Sequence, residues 1–366
     1  MRKWIAHTAI LGCSLNLFAQ PNSEQPAKPF KQGQEVSRTP LAGYNHAARI
    51  DVSGCCDFFL GGSFIYWQSL QEGMDQATTR DFNTQISNFP RFPTDGQITY
   101  QGFEFKPGFK VTTGWNSSFD DWSAYAEYTW FRSSTHSSFT APTGQTFVAQ
   151  NWLTPLLNNF GPSLSSRWNL RIDLLDANLS RPYYQGTRLT ISPYGGLRAA
   201  WIRQTFRLAY SLTGSPGDAV PSNPVLSHNR SYSWGLGPRA GVATHWLLSR
   251  GFQVDGEVST SLLFTQYTKV SNVQDRADAS ASGTALQLRM TDYNCVRPNA
   301  TALLGLAWGS YFNHQQCHFD FTASYEFSVF WWQNMMRRLV DAADRTAATP
   351  GSLYLQGLTA AAHIDF

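Results

Sequence analysis

Charge is the first thing this chain is short of. Of its 366 residues, 14% are Asp, Glu, Lys or Arg, against roughly a quarter in soluble globular proteins. The two signs nearly cancel, leaving a net charge of +3, so the basic excess that marks nucleic-acid binding is missing and no nucleic-acid partner is expected. Long apolar runs are missing as well. Beyond the N-terminus no stretch reaches the ~18 apolar residues of a spanning helix, and mean hydropathy is negative, which excludes a helical membrane bundle. Cysteine is scarce, with five in the whole chain, too few for a disulfide scaffold. What the chain does have is aromatic surface. Phe, Trp and Tyr make up 14% of it, which together with the low charge argues against disorder.

The first residues read as an export signal. Arg2 and Lys3 precede a largely apolar run from Trp4 to Phe18, and Leu17-Phe18-Ala19 resembles a small-residue cleavage site, so residues 1–19 are expected to be a cleaved signal peptide. Acylation at Cys13 in "ILGC" is the competing reading, but it leaves a very short leader. Residues 20–56 are polar, contain Pro and show no period, as expected of a flexible periplasmic segment.

From residue 57 to the end the pattern is period two. In "FEFKPGFKVTTGW", Phe103, Phe105, Phe109 and Val111 alternate with Glu104, Lys106, Lys110 and Thr112. The final "GLTAAAHIDF" places Leu358, Ala360, Ala362, Ile364 and Phe366 on one parity and Thr359, His363 and Asp365 on the other. Such alternation predicts strands with one apolar and one polar face. Ten are expected, at 58–69, 102–115, 121–132, 167–180, 188–203, 231–246, 252–265, 297–309, 318–332 and 353–366. Connections after the even-numbered strands are short ("NSSFD", "PYYQGT", "LLSRG", "SYFNHQQC"), and those after the odd-numbered ones are long. A soluble sandwich gives no reason for that regularity. An all-β transmembrane antiparallel up-and-down β-barrel does, with short periplasmic turns and long extracellular loops. Aromatics gather near strand ends, among them Tyr66, Trp67, Trp168, Trp201 and Trp234 on one side and Trp115, Trp122, Trp246, Trp308 and Phe366 on the other, as interfacial belts require. Two further strands would widen the barrel to twelve, and "ALQLRM" (285–290) is the candidate for one of them. Phe366, aromatic and on the lipid parity, is expected to close the sheet and to be read by the outer-membrane insertion machinery.

Four stretches go beyond the general class: "FFLGGSFIYWQSLQEGMDQA" from Phe58, "PYGGLRAAWIRQ" from Pro193, "WGLGPRAGVATHWLLSRGFQVDGEVSTSLLF" from Trp234 and "FDFTASYEFSVFWWQNMM" from Phe319. In this order they resemble the pore-forming major outer membrane proteins of Legionella and of environmental chlamydiae, over residues 57–366. The resemblance implies an abundant outer-membrane barrel that passes small hydrophilic solutes, without cofactor or catalytic residues. It departs from the Cys-rich, cross-linked chlamydial members, since only Cys55, Cys56, Cys295 and Cys317 follow the leader.

On the polar parity, Lys106, Lys110, Arg171, Arg198, Arg239 and Arg297 face Glu104, Glu127, Asp173, Asp255, Glu257, Asp320 and Glu326. Nine of these are the pore-lining candidates: Lys106, Lys110, Glu127, Arg171, Arg198, Arg239, Glu257, Asp320 and Glu326. Their near-balance predicts weak ion selectivity if the lumen is open. Eight strands give a filled interior and sixteen an open one, so a packed polar core stays an alternative. Cys55, Cys56 and Cys317 fall on the periplasmic side and could form a disulfide. Cys295 falls on the other side, beyond the ~7 Å reach of such a bond, and is expected to be free or intermolecular. "HQQCH" (His314, Cys317, His318) has ligand-like spacing but no fourth partner, so a polar turn is the better reading and no metal is expected. His136 and His228 in outer loops, and His245 and His363 toward the lumen, form no catalytic motif, and no enzyme activity is expected. The expected function is an outer-membrane porin for passive diffusion that is also a structural surface protein. Its partners would be outer-membrane lipid, the insertion machinery and small solutes, with a homo-oligomer left open. The alternative is a non-conducting structural or adhesin barrel whose loops, 133–166 and 266–296 above all, bind host or neighbouring proteins.

Overall fold

The computed structural model describes residues 57–81, 96–117, 122–143, 145–153, 161–185, 187–211, 224–276, 283–314, 316–343 and 350–366. The expected leader and tail, with Cys55 and Cys56, lie outside the described residues. Among the described residues, strands form at all ten expected places, and short strands and one helix form between them. In chain order the elements are β1 (Phe58–Gln71), β2 (Asp75–Asp81), β3 (Ile98–Tyr100), β4 (Phe105–Asn116) and β5 (Ser123–Thr140). Next come β6 (Gln145–Gln150), β7 (Ser163–Ser180), β8 (Tyr183–Gln185), β9 (Leu189–Ser211) and β10 (Val225–Ser249). The chain finishes with β11 (Phe252–Arg276), β12 (Gly283–Met290), β13 (Tyr293–Phe312), β14 (Cys317–Phe330), α1 (Met335–Ala343) and β15 (Leu353–Asp365).

The ten long strands close into an antiparallel barrel in the order β1-β4-β5-β7-β9-β10-β11-β13-β14-β15, with β15 returning to β1. That seam runs from Phe59 opposite Asp365 to Gln71 opposite Leu353, and the Phe366 N–H donates to the Phe58 carbonyl. Closure leaves no strand edge in lipid, where unpaired backbone groups would cost several kcal/mol each. The short turns carry the required chemistry. Arg250 and Gly251 both adopt positive φ, 52° and 82°, which matches a type I′ hairpin turn. A Cβ at Gly251 would in addition lie 2.3 Å from the Gly309 carbonyl.

The outer face of the wall is apolar, and aromatics rim it at two levels. Toward the long loops, Phe109 stacks on Trp130 (5.3 Å) and Tyr66 on Phe105 (5.5 Å), while Trp201 lies opposite Trp234. Toward the short turns, Phe58 lies opposite Trp115 and Phe252 opposite Trp308. On β10 the two levels are marked by Trp234 and Trp246. That spacing is about 40 Å of strand, or about 30 Å of membrane thickness at the usual tilt. Two of the expected belt residues do not belong to it: Trp67 and Trp168 point inward and are buried.

Three further expectations are corrected. The strands run on past the long-loop belt, so β5, β7, β9, β10 and β11 are 18 to 25 residues long and take over much of the expected loops 133–166 and 266–296. "ALQLRM" does form a strand, but β12 pairs with β11 from Val270 to Arg276 just where β13 stops pairing with it, at Tyr267. It is therefore an outer continuation of the eighth wall strand. It adds no strand to the circumference, and the barrel stays at ten. The third correction concerns the faces. Within the membrane β7 turns Leu175 and Leu179 outward and Asp176 and Asn178 inward, whereas above the belt Arg167 and Arg171 face outward and Leu170, Ile172 and Leu174 face inward. The strand parity is constant. Its surroundings are not, because lipid covers one stretch of the outer face and water the other.

Candidate functional site

Above the belt the barrel interior is an apolar core. Phe131, Trp168, Leu170, Ile172, Ile202, Phe206 and Leu208 line the wall, and Met74, Ala77, Trp152, Leu153, Met336 and Val340 fill the space between them. The filling residues come from two inserted pieces. One is a small sheet in which β2 pairs with β3 and β6, and the other is α1, capped by the Asn334 side chain accepting the Arg337 N–H at 3.2 Å. Each large apolar side chain removed from a water-filled lumen favours the closed arrangement by roughly 1.5–3 kcal/mol. Many polar groups inside this plug are partnered, although Gln76 Oε1 is buried without a hydrogen bond. Gln76 donates to Gln101 and Ser166 (both 2.9 Å), the Tyr210 hydroxyl donates to the Gln76 carbonyl (2.9 Å), and the Ser227 hydroxyl donates to the Trp152 carbonyl (2.9 Å). Gln204 of β9 donates to Gln71 of β1 at 3.1 Å, a bond that crosses the lumen.

Two carboxylates outside the membrane brace the plug, Glu72 at the rim and Asp341 within it. Glu72 accepts from the Ser352 N–H and the Tyr354 hydroxyl, each at 2.7 Å. Burial pushes its carboxyl up, but these hydrogen bonds outweigh burial and hold it below the ordinary carboxylate value. Asp341 of α1 goes the other way, raised by burial despite its pairing with Arg337 at 2.8 Å. Arg337 also reaches Asp75 of β2 at 3.2 Å, joining the helix to the inserted sheet.

Below the plug lies a polar cavity of about 230 Å³, lined from Trp67, Leu174 and Leu355 down to Gly61, Ala362 and His363 near the short-turn end. Two ion-pair clusters face it. Asp176 accepts a two-pronged contact from Arg198 (both 2.7 Å) and a third from Arg239 (2.5 Å). Arg198 continues to Asn299 on β13 at 2.5 Å, and Arg239 continues to Glu257 and Ser259 (both 3.2 Å). Glu257 also accepts from the Tyr194 hydroxyl. Opposite, Lys110 sits 2.9 Å from Glu326 and 3.6 Å from Glu127, with its ammonium over the Trp67 ring. His245 pairs with Asp255 at 2.8 Å. The arrangement can hold water and small ions among groups of both signs.

Of the candidates read from the sequence, Lys110, Glu127, Arg198, Arg239, Glu257 and Glu326 converge on this cavity, together with Asp255, His245 and His363. Lys106 does not line it; near the long-loop belt it pairs with the exposed Glu104 at 2.6 Å. Arg171 is on the outer face of β7, and so is Asp173, paired there with Arg132 at 2.8 Å. Arg297 faces inward above the belt against the Tyr267 ring. Asp320 lies at the short-turn mouth beside His318, at 3.2 Å. The residue that sequence reasoning missed is Asp176, the hub of the larger cluster. The signal was present in "LLDANLS", where Leu175, Ala177 and Leu179 alternate with Asp176 and Asn178. His136 is exposed on β5 and His228 lies on β10, apart from the cavity. Cys295 and Cys317 carry no disulfide and sit near opposite ends of the wall, Cys317 opposite Phe312 and Cys295 opposite Thr265. The proposed partners of Cys317, Cys55 and Cys56, lie outside the described residues.

A ten-stranded closed wall with an apolar outer band and two aromatic belts is an outer-membrane design. A family model described as Legionella pneumophila major outer membrane protein precursor matches residues 55–366. The chain belongs to that family. No curated protein sequence matches it. Among solved structures it is similar to the outer membrane protease OmpT from Escherichia coli, at 10% identity over 87% of this chain and 99% of that one, with a TM-score of 0.44. It is also similar to the Pseudomonas putida toluene transporter TodX, at 9% identity over 86% and 90%, with a TM-score of 0.24. At these scores neither likeness speaks to chemistry. Family membership places this barrel in the outer membrane.

Proposed function

We propose that this family member is an outer-membrane pore for small hydrophilic solutes, closed at rest by the inserted sheet and α1, and passive when the plug moves aside. The observation that carries the reading is the charged cavity of about 230 Å³ below the plug, which an inert barrel core does not need. Residues 1–19 would deliver the chain as a cleaved leader, Phe366 would be read on insertion, and the short turns would face the periplasm. The near-balance of Lys110, Arg198 and Arg239 against Asp176, Glu127, Glu257 and Glu326 supports weak ion selectivity. No reaction is proposed.

A second reading is a permanently closed structural or adhesin barrel acting through its long loops. The apolar plug core favours it. Planar-bilayer recording separates the two. The refolded chain is compared with a Trp152→Ala, Met336→Ser, Val340→Ser variant, both verified as folded. Rare brief steps from the native chain and frequent long ones from the variant support a gated pore. Silence from both supports the closed barrel. Identical steps from both would refute gating by this plug.

A further inference from the structure

One tripeptide pattern occurs twice at the short-turn end, on neighbouring strands. His318-Phe319-Asp320 lies on β14 and His363-Ile364-Asp365 on β15. Residues two apart in a strand share a face, so each strand presents one imidazole and one carboxylate inward while Phe319 and Ile364 take the other face. The antiparallel register sets His318 opposite Asp365 and Asp320 opposite His363. The result is a rectangle of four side chains with imidazoles on one diagonal and carboxylates on the other.

Its dimensions suit a metal ion. His318 Nδ1 is 3.2 Å from Asp320 Oδ2 and 3.4 Å from Asp365 Oδ2, and His363 Nε2 is 3.5 Å from Asp365 Oδ1. One ligand atom from each of His318, Asp320 and Asp365 falls within 4.8 Å of the others. Ligands at Zn–N and Zn–O distances of ~2.0–2.2 Å in a tetrahedron stand ~3.3–3.5 Å apart. His318 Nδ1 stands at about that spacing from both carboxylates, and His363 Nε2 from Asp365. His363 Nε2 is buried, with Asp365 Oδ1 at 3.5 Å, too long for a good hydrogen bond. The rings are held in place, His318 against Tyr311 (4.5 Å) and His363 against Phe59 (4.8 Å), so little side-chain freedom is lost on binding. His318 and Asp365 are also buried from solvent.

We infer that His318, Asp320, His363 and Asp365 form a divalent transition-metal site, suited to Zn²⁺, that staples the last strand to its neighbour at the barrel mouth. Two imidazoles select against Ca²⁺ and Mg²⁺, which prefer all-oxygen shells. Two carboxylates neutralise the ion in a region of low dielectric. The bonds formed are dative, from imidazole nitrogen and carboxylate oxygen, and any protons held by the quartet leave to solvent.

The full-length chain, refolded in detergent and stripped with EDTA, is titrated with Zn²⁺ by calorimetry, and its thermal midpoint is measured with and without the metal. One equivalent is expected to bind and to raise the midpoint. A His318→Asn, His363→Asn variant should show neither effect, whereas Cys317→Ser should behave as the native chain. Should the double variant not fold, Asp320→Asn alone should weaken binding at least ~10-fold. Absence of saturable binding to the folded native barrel would overturn the site. So would unchanged affinity in the variants that remove its ligands, or loss of binding in Cys317→Ser, which would move the ligands to the "HQQCH" turn.

Discussion

Asp176 shows what one residue decides inside a barrel. Its side chain is 1% exposed and holds two guanidiniums, those of Arg198 and Arg239. Exposed ion pairs contribute little, but removing one partner from a buried set leaves charge without compensation, at about 3–5 kcal/mol. Asp176→Asn is accordingly expected to lower the stability of the refolded barrel by about 3 kcal/mol, read as a shift in its urea midpoint. A loss below about 1 kcal/mol would mean that Glu257 and Asn299 compensate, and that Asp176 is not the hub. The charge list read from the sequence contained Arg198, Arg239 and Glu257 but put Arg171 and Asp173 in place of Asp176. Polar was equated with inward along the whole of β7. That equation holds only where the outer face meets lipid.

At the scale of the element, alternation was sufficient to find all ten wall strands, and loop lengths sufficient to find their directions. Strand ends were misjudged because they were placed at the thickness of the bilayer. Pairing continues into water wherever a neighbour offers donors and acceptors, as between β9 and β10 as far as Tyr210 opposite Val225. The seam shows how tightly neighbours approach. Gly357 of β15 has φ +153°, and a Cβ there would sit 2.2 Å from the Tyr66 carbonyl. Gly357→Ala must therefore push β15 from β1 or strain the backbone, at a cost of about 1–3 kcal/mol. The expected outcome is a lower yield of the compact, heat-modifiable band on electrophoresis after refolding. A native yield and unchanged unfolding would show that the seam tolerates separation there.

On the scale of the whole molecule, the wall and the plug obey different balances. The wall is held by closed hydrogen bonding in lipid, and the plug by apolar burial and a few polar ties at the rim. One of those ties is pH-sensitive. The Glu72 carboxyl titrates below its unfolded value in the folded state, so its contribution is present above the ordinary carboxylate range and is lost as pH falls through the depressed folded value. Hydrogen-exchange protection around Glu72 and Ser352, taken relative to the intrinsic rate at each pH, should fall in the native chain as pH drops below the ordinary carboxylate range, and Glu72→Gln should flatten that dependence. Asp341, raised by burial, works in the opposite sense and favours the plug as pH falls, so the difference between native chain and variant is the informative quantity. Equal profiles would remove Glu72 from the anchoring.

The sequence by itself determined the ten strands, their antiparallel order, the alternation of short turns and long connections, the outer-membrane class and most of the charged groups that meet in the lumen. These follow from local periodicity, which each strand carries within itself. Only the tertiary structure decided that the lumen is closed, that β12 prolongs the wall without widening it, that Trp67 and Trp168 turn inward, and that two H-x-D tripeptides meet as a quartet. Each of those depends on register between distant strands, or on which solvent, lipid or water, lies against a given length of wall. A period of two records that a strand has two faces, but not what each face meets.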